Sequence, residues 1–490
     1  MARMQLEIST SGGAVRGRER NGAALFAGIP YAAPPVGRLR WAPPQPADPW
    51  TGVRDATRFG PAAPQLPGDG LTNSHEVRWD EDCLTLNVVT PGPDDAGRAV
   101  MVWLHGGAFR HGTGATPWYD GTSFALRGDI VVVTINYRLG ALGFCRLDGE
   151  QTSGINGILD QIAALEWVRH NIAAFGGDPA KVTIAGESAG AFSVSTLTAM
   201  PQADGLFRGA VAQSGAGHHA VDAATADLVA DRFLAELGAG SIDEARSRSA
   251  LEILRAQARV EEAKAEFMSR VDQPFYPVAD GVVLPARPVD LIAERGASVP
   301  MLTGTNADEM TLWGLGAVDD ERLQWVLGQY AQPVEQLLPA YREELPAATA
   351  GEIAIAYAGD RTFRIPAVRL AEARHAHEAD TWMYLFSWKS RAFGGALGAT
   401  HALDIGFVFN TLDAAGFDVF LGTDDPPTGL AETMHDVWAA FIKTGRPHTD
   451  TVNDWPSYTP DDRAVLEFGD EVRLLDDPGA VTRKAWEGIR

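Results

Sequence analysis

Short runs of β-branched and aliphatic residues alternate, in the first half of the chain, with longer stretches whose apolar positions recur every three or four residues. Val100-Met101-Val102-Trp103-Leu104 and Ile130-Val131-Val132-Val133-Thr134-Ile135 are unbroken, as expected of strands buried on both faces of a parallel sheet. Lys181-Val182-Thr183-Ile184-Ala185, bounded by a Gly-Gly-Asp-Pro turn signal, predicts another strand. Between them Leu159, Ile162, Leu165, Val168, Ile172 and Phe175 mark one helical stripe, stopped at Gly176. The stretch 191–197 predicts a helix that stops at Pro201, and strand patterns return at 299–303 and 382–388. A last amphipathic helix uses Leu430, Met434, Val437, Trp438 and Phe441 and ends near Gly445. Segments 221–264 and 319–377 read as helices. The pattern predicts an α/β fold, with a mostly parallel central sheet and helices on both faces. Helical insertions, about 221–296 and 315–380, follow the strand at 181–185. With no internal repeat and no long polar linker, residues 1–490 read as one domain.

Composition narrows the partners. A net charge of −23 disfavours nucleic acid and anionic membrane surfaces. The N-terminus, Met1 to Ile8, lacks the apolar run of a signal peptide, and no apolar stretch approaches the ~20 residues of a membrane span. The expectation is a cytoplasmic protein, monomeric or weakly homo-oligomeric. Two cysteines, Cys83 and Cys145, make no disulfide framework.

The chemistry is concentrated at Gly186-Glu187-Ser188-Ala189-Gly190, the single G-x-S-x-G of the chain. With a strand before it and a helix after it, such a turn holds its serine in a strained, exposed elbow. A serine hydroxyl needs a base, and the base needs an orienting acid. After Ser188 the candidate bases are His218/His219, His375, His377, His401, His435 and His448. His375 and His377 lie in a charged helical stretch, His435 within a helix and His448 in a polar loop. His401 follows a strand and a glycine-rich segment, where a loop at the carboxyl edge of a sheet presents a base. The acid is Glu309 or Asp308, both just past a strand, and the local pattern does not separate them. His105-Gly106-Gly107-Ala108-Phe109 follows the 100–104 strand. Its small residues let backbone N–H groups approach an oxyanion, with the N–H of Ala189 completing the set.

These pieces together resemble the type-B carboxylesterase family, which includes bacterial para-nitrobenzyl esterases and the cholinesterases. Further matching stretches are 26–32, 34–40, Glu81-Asp82-Cys83-Leu84, 136–140, 175–179, Gln213-Ser214-Gly215 and Phe407-Val408-Phe409. The resemblance implies the α/β-hydrolase fold and hydrolysis of small neutral esters through an acyl-enzyme, with no cofactor and no metal. It assigns Ser188, Glu309 and His401 as a triad, and Gly107, Ala108 and Ala189 as oxyanion donors. It places Gly106, Phe109, Glu187, Leu312 and Trp313 along the substrate pocket. It pairs Arg40 with Glu81 and Arg138 with Asp160 as structural ion pairs. Secreted relatives pair the cysteine of the Glu-Asp-Cys-Leu motif with an earlier one; none stands at 59–65 here, so Cys83 is expected to be free. Met310 replaces the family's usual glycine after the acid. Asn73 and Leu312 stand near two aromatic positions of the cholinesterases, which argues against choline esters. Glu187 is either a group that favours cations near the pocket or a structural carboxylate. A similarity to hydrolases of aryl carbamates gives an alternative substrate class, and esterase-like binding modules that lack the serine form a rival of another kind.

Overall fold

The computed structural model describes residues 6–67, 77–269, 272–296, 299–330, 332–422 and 425–489; Asn73 and the N-terminal Met1–Gln5 lie outside them. An eleven-stranded sheet organises the chain. Its strands are β1 (Arg18–Arg20), β2 (Ala23–Pro30), β3 (Thr85–Thr90), β4 (Arg98–Leu104), β5 (Val131–Ile135) and β6 (Gly177–Glu187). They continue as β7 (Gly209–Gln213), β8 (Met301–Asn306), β9 (Thr381–Phe386), β10 (Ala464–Phe468) and β11 (Val472–Asp476). Across the sheet the order is β11-β10-β9-β8-β7-β6-β4-β5-β3-β2-β1. The central pairings, from β10 to β5, are parallel, and both margins are antiparallel.

The unbroken apolar runs have a direct cause. Val100, Val102 and Leu104 face a core shared with Ile158, Leu165 and Val168 of helix α1 (Asn156–Asn171). Met101 and Trp103 of the same strand face the opposite core. There they join Val437, Trp438 and Phe441 of the late helix Thr428–Thr444. With both faces covered, no strand position is left for a polar residue to occupy freely. The stripe of α1 continues past Asn171 as a tight 3-10 turn, Ile172–Phe175, and closes at Gly176 with φ of 83°.

One boundary departs from expectation. The Gly-Gly-Asp-Pro segment does not bound the nucleophile strand; β6 starts at Gly177 and runs through it. Gly177 pairs with Arg98 and Val182 with Val100, so five steps along β6 match two along β4 and the extra residues bulge out of β6. Such a bulge tolerates Pro179 inside a strand. The helical segments after β7 are Ala223–Leu237, Ile242–Arg246, Ala250–Ala263 and Pro288–Arg295. Those after β8 run from Asp320 to His375, with a π-turn at Asp360–Arg364.

Both expected ion pairs are present. Arg40 meets Glu81 at 2.5 and 2.7 Å. Arg138 meets Asp160 at 2.7 and 2.8 Å, with side chains 3% and 0% exposed. Cys83 and Cys145 are buried free thiols. Among the described residues no helix is long and apolar enough to cross a membrane.

Candidate active site

Ser188 stands between the end of β6 and helix α2 (Ala189–Ala199), with φ 55° and ψ −122°. No L-residue reaches that conformation without strain, and the surroundings hold it there. Its N–H donates to the Gln213 carbonyl of β7 at 2.9 Å. Gly190 lets α2 press onto β4, since a β-carbon there would stand 2.0 Å from the Leu104 carbonyl oxygen. Ser188 remains partly exposed while its neighbours from Val182 to Gly190 are buried.

The loop after β4 passes beside it. A β-carbon on Gly106 would come within 3.2 Å of the Ser188 Cβ. Gly107 has φ of 109°, and a β-carbon there would collide with the His111 carbonyl at 2.2 Å, so only glycine fits. Ala108 and Phe109 also take positive φ, 53° and 58°. The loop is anchored at both ends. Tyr137 donates its hydroxyl to the His105 carbonyl at 2.7 Å and stacks on the His105 ring. Burial pushes His105 down to about 4, so this ring is neutral. At the far end Gly140 N–H donates to the Phe109 carbonyl at 2.6 Å. The Phe109 ring is fully buried against Phe144 and Tyr276, so it braces the loop from behind rather than lining an open pocket.

His401 and Glu309 meet across the ends of two loops, Nδ1 to Oε2 at 2.5 Å. The other oxygen of Glu309 accepts the Asn306 N–H at 2.9 Å. Asp308, which the local pattern left level with Glu309, turns away and accepts the Ala399 N–H at 2.8 Å. The remaining histidines have other employment. His375 and His377 are exposed. His435 is buried against Phe124 and bonded to the Val408 carbonyl. His448 bonds the Trp455 carbonyl, and His219 stacks on Phe192 at 3.6 Å.

The second nitrogen of His401 brings a difference from expectation. Nε2 lies 3.1 Å from Oε1 of Glu187, and the structure records no hydrogen bond between His401 and the Ser188 hydroxyl. Glu187 is 3% exposed. It faces the ring, not the solvent, which removes the picture of a carboxylate that draws cations to an open pocket. Burial, reinforced by Asp404 and Glu309, pushes Glu187 up to about 8 against the pull of His401. Burial disfavours the His401 imidazolium, but Glu187 and Glu309 outweigh it and raise His401 to about 9.

Aromatic rings wall the base. Trp313, exposed, lies 5.3 Å from the His401 ring and Phe363 lies 4.8 Å from it. Phe363 stacks on toward Phe192 at 6.5 Å. Leu312 is only partly buried and packs against the core that contains Ala399 and Ala402. The sequence reading missed Phe363, Asn306, Asp404 and Tyr384. Phe363 is placed by the π-turn, which has no pattern signature, whereas Asp404, an acid in the apolar run 402–409, was visible. A cavity of about 560 Å³ lies behind Glu309, between β8, β9 and the helices around Asp360; it includes neither Ser188 nor His401. Among the described residues no cluster of three histidines, cysteines or acids is fit to hold a metal ion.

The sequence profile of the Carboxylesterase family matches residues 4–484. The chain is 39% identical to the para-nitrobenzyl esterase of Bacillus subtilis (strain 168), covering 97% of each. It is 35% identical to the phenmedipham hydrolase of Pseudarthrobacter oxydans, covering 94% of each. Its fold is similar to the crystal structure, at pH 6.2, of a carboxylesterase from Geobacillus stearothermophilus. There the TM-score is 0.88 at 37% identity, over 98% of this chain and 100% of that one. With that sheet, that elbow and these relatives, the chain belongs to the carboxylesterase family and is a carboxylic ester hydrolase of the α/β-hydrolase fold.

Proposed function

We propose that this enzyme hydrolyses neutral aryl and short-to-medium acyl esters through an acyl-enzyme on Ser188. The observation that carries this reading is the convergence of the Ser188 elbow, the Gly106–Ala108 loop beside it and the His401–Glu309 pair. His401 turns from Glu187 to the adjacent Ser188 and takes its proton as the hydroxyl attacks the ester carbonyl. The N–H groups of Gly107, Ala108 and Ala189 receive the oxyanion, and each such donor contributes about 3 kcal/mol to the barrier reduction. Glu309 holds the ring tautomer and stabilises the imidazolium. The proton passes to the departing alcohol. Water, giving its proton to His401, then attacks the acyl-serine and releases the acid.

The base acts only when neutral, so a raised His401 puts the acid limb of kcat/KM on the alkaline side of neutrality. Glu187→Gln removes a carboxylate that raises the ring, and the limb is expected to move to lower pH. A pH profile of para-nitrophenyl acetate hydrolysis checks this. A limb that stays in place, or rises, excludes Glu187 as its cause.

The walls beside His401 are apolar rings, and the nearby Glu187 is buried and pushed toward neutrality. A choline ester is therefore expected to have kcat/KM at least about tenfold below its neutral isostere, because Glu187 and Glu309 are buried against the His401 ring and are not open to compensate desolvation of the cation. Equal or better hydrolysis of the cation would contradict the neutral pocket. A second reading, cleavage of aryl carbamates by the same serine, is favoured by the rings of Trp313, Phe363 and Phe192. A panel of para-nitrophenyl esters of increasing acyl length, with aryl carbamates alongside, separates the two.

A further inference from the structure

Asp404 is fully buried three residues beyond His401, at the start of helix α3 (Asp404–Phe409). Its bonds are to uncharged groups from three adjacent strands. Oδ2 accepts from Gln213 Nε2 of β7 and from the Tyr384 hydroxyl of β9, each at 2.9 Å. Oδ1 accepts from Asn306 Nδ2 of β8 at 3.4 Å. The donors that hold this carboxylate also hold the reacting groups. The Gln213 carbonyl accepts the Ser188 N–H at 2.9 Å. Asn306 gives its own N–H to Glu309 at 2.9 Å and its side-chain amide to the carbonyl of Thr400, beside His401, at 2.7 Å. The supports of nucleophile, acid and base therefore converge on one buried carboxyl.

We propose that Asp404 is a positioning residue, which fixes His401 in register with Ser188 and Glu309 and places a further negative charge near the imidazole. The proposal rests on the serine mechanism above. Burial pushes the Asp404 carboxyl above the usual carboxylate range, while the bonds from Gln213 and Tyr384 and the attraction of His401 pull it back toward the charged form. Such a group survives best where its charge serves a neighbour. The groups that face His401 are Glu187 at the end of β6, Glu309 after β8 and Asp404 on α3. Tyr384, from β9, faces Asp404 as a neutral phenol, its ionisation suppressed first by burial and then by Asp404. Trp438 donates to the Gln213 amide oxygen at 3.1 Å and brings no charge.

Asp404→Asn keeps the shape and removes the charge. In the full-length enzyme, with para-nitrophenyl acetate as probe, kcat is expected to fall at least about tenfold, because a small displacement of a catalytic group is enough for that loss. KM should stay within about threefold, since no substrate contact is lost. The acid limb of kcat/KM should move to lower pH, because one charge that favours the imidazolium is gone. A merely structural role would lower the melting temperature and leave the limb in place. Tyr384→Phe removes one donor and keeps the charge; kcat should fall a few-fold with the limb unmoved. A folded Asp404→Asn enzyme with wild-type kcat or an unshifted limb overturns the proposal. Should that variant fail to fold, Tyr384→Phe decides alone, and wild-type kcat there overturns it. Labelling of the wild-type serine by a fluorophosphonate tests the underlying mechanism separately; absence of label would refute the serine reading itself.

Discussion

Ser188→Ala is expected to lower kcat for ester hydrolysis by about five to six orders of magnitude, the loss found when a serine nucleophile is removed from an intact site. The residue is the sole partly exposed position between Val182 and Gly190, and its side chain makes no hydrogen bond that the fold uses. What holds the elbow is main chain: the Ser188 N–H on Gln213, and the Phe192 N–H on the Ser188 carbonyl. Alanine keeps both bonds and the same backbone preference, so the melting temperature should change by no more than a few degrees. Residual turnover should come from the oxyanion donors and binding alone. Single-turnover kinetics with para-nitrophenyl acetate measure the loss, and activity within tenfold of wild type would place the nucleophile elsewhere.

Asp160→Ala is expected to cost about 3–5 kcal/mol of folding stability, the usual penalty for stranding one charge of a buried pair. Arg138 is 2% exposed, and two of its nitrogens, with its backbone N–H, are bonded to the Asp160 carboxylate. Among the described residues only the Ala42 carbonyl would still accept from the guanidinium. The pair joins the loop after β5 to helix α1, so its loss loosens the first half of the sheet. Asp160→Asn retains acceptor capacity and should be milder. Urea unfolding gives the difference, and a change below about 1 kcal/mol would mean that water enters to solvate Arg138.

How much of this was legible in the sequence varies with the range of the interaction. The strands at 100–104 and 130–135 and the helix at 156–171 follow from short-range pattern, because burial on one or two faces imposes a period that a single chain displays. The elbow and the Gly106–Ala108 loop were legible because close approach demands small residues at fixed offsets. The choice of Glu309 over Asp308 came from the family resemblance and not from local pattern, since both follow the same strand and the path of the 392–401 loop decides which one meets the ring. The turn of Glu187 toward His401 was not legible, since it depends on a contact across 214 positions of chain. The extension of β6 through Pro179 was not legible either, because it depends on Gly177 finding Arg98 of β4 on the far side of a bulge in β6, a long-range pairing that the segment alone does not display.

The two margins of the sheet differ in a way that bears on aggregation. β1 reads Arg18-Glu19-Arg20, so an incoming strand would have to lie along three charged side chains. A margin of that kind discourages addition of another chain. β11 at the other end is largely exposed and carries Val472 and Leu474, 38% and 47% open to solvent, on either side of Arg473. Two apolar side chains on an outer strand are a weaker guard. When the enzyme is heated or partly denatured, intermolecular strand pairing should therefore begin at the carboxyl-terminal margin, and a lysine at position 474 is the economical place to block it.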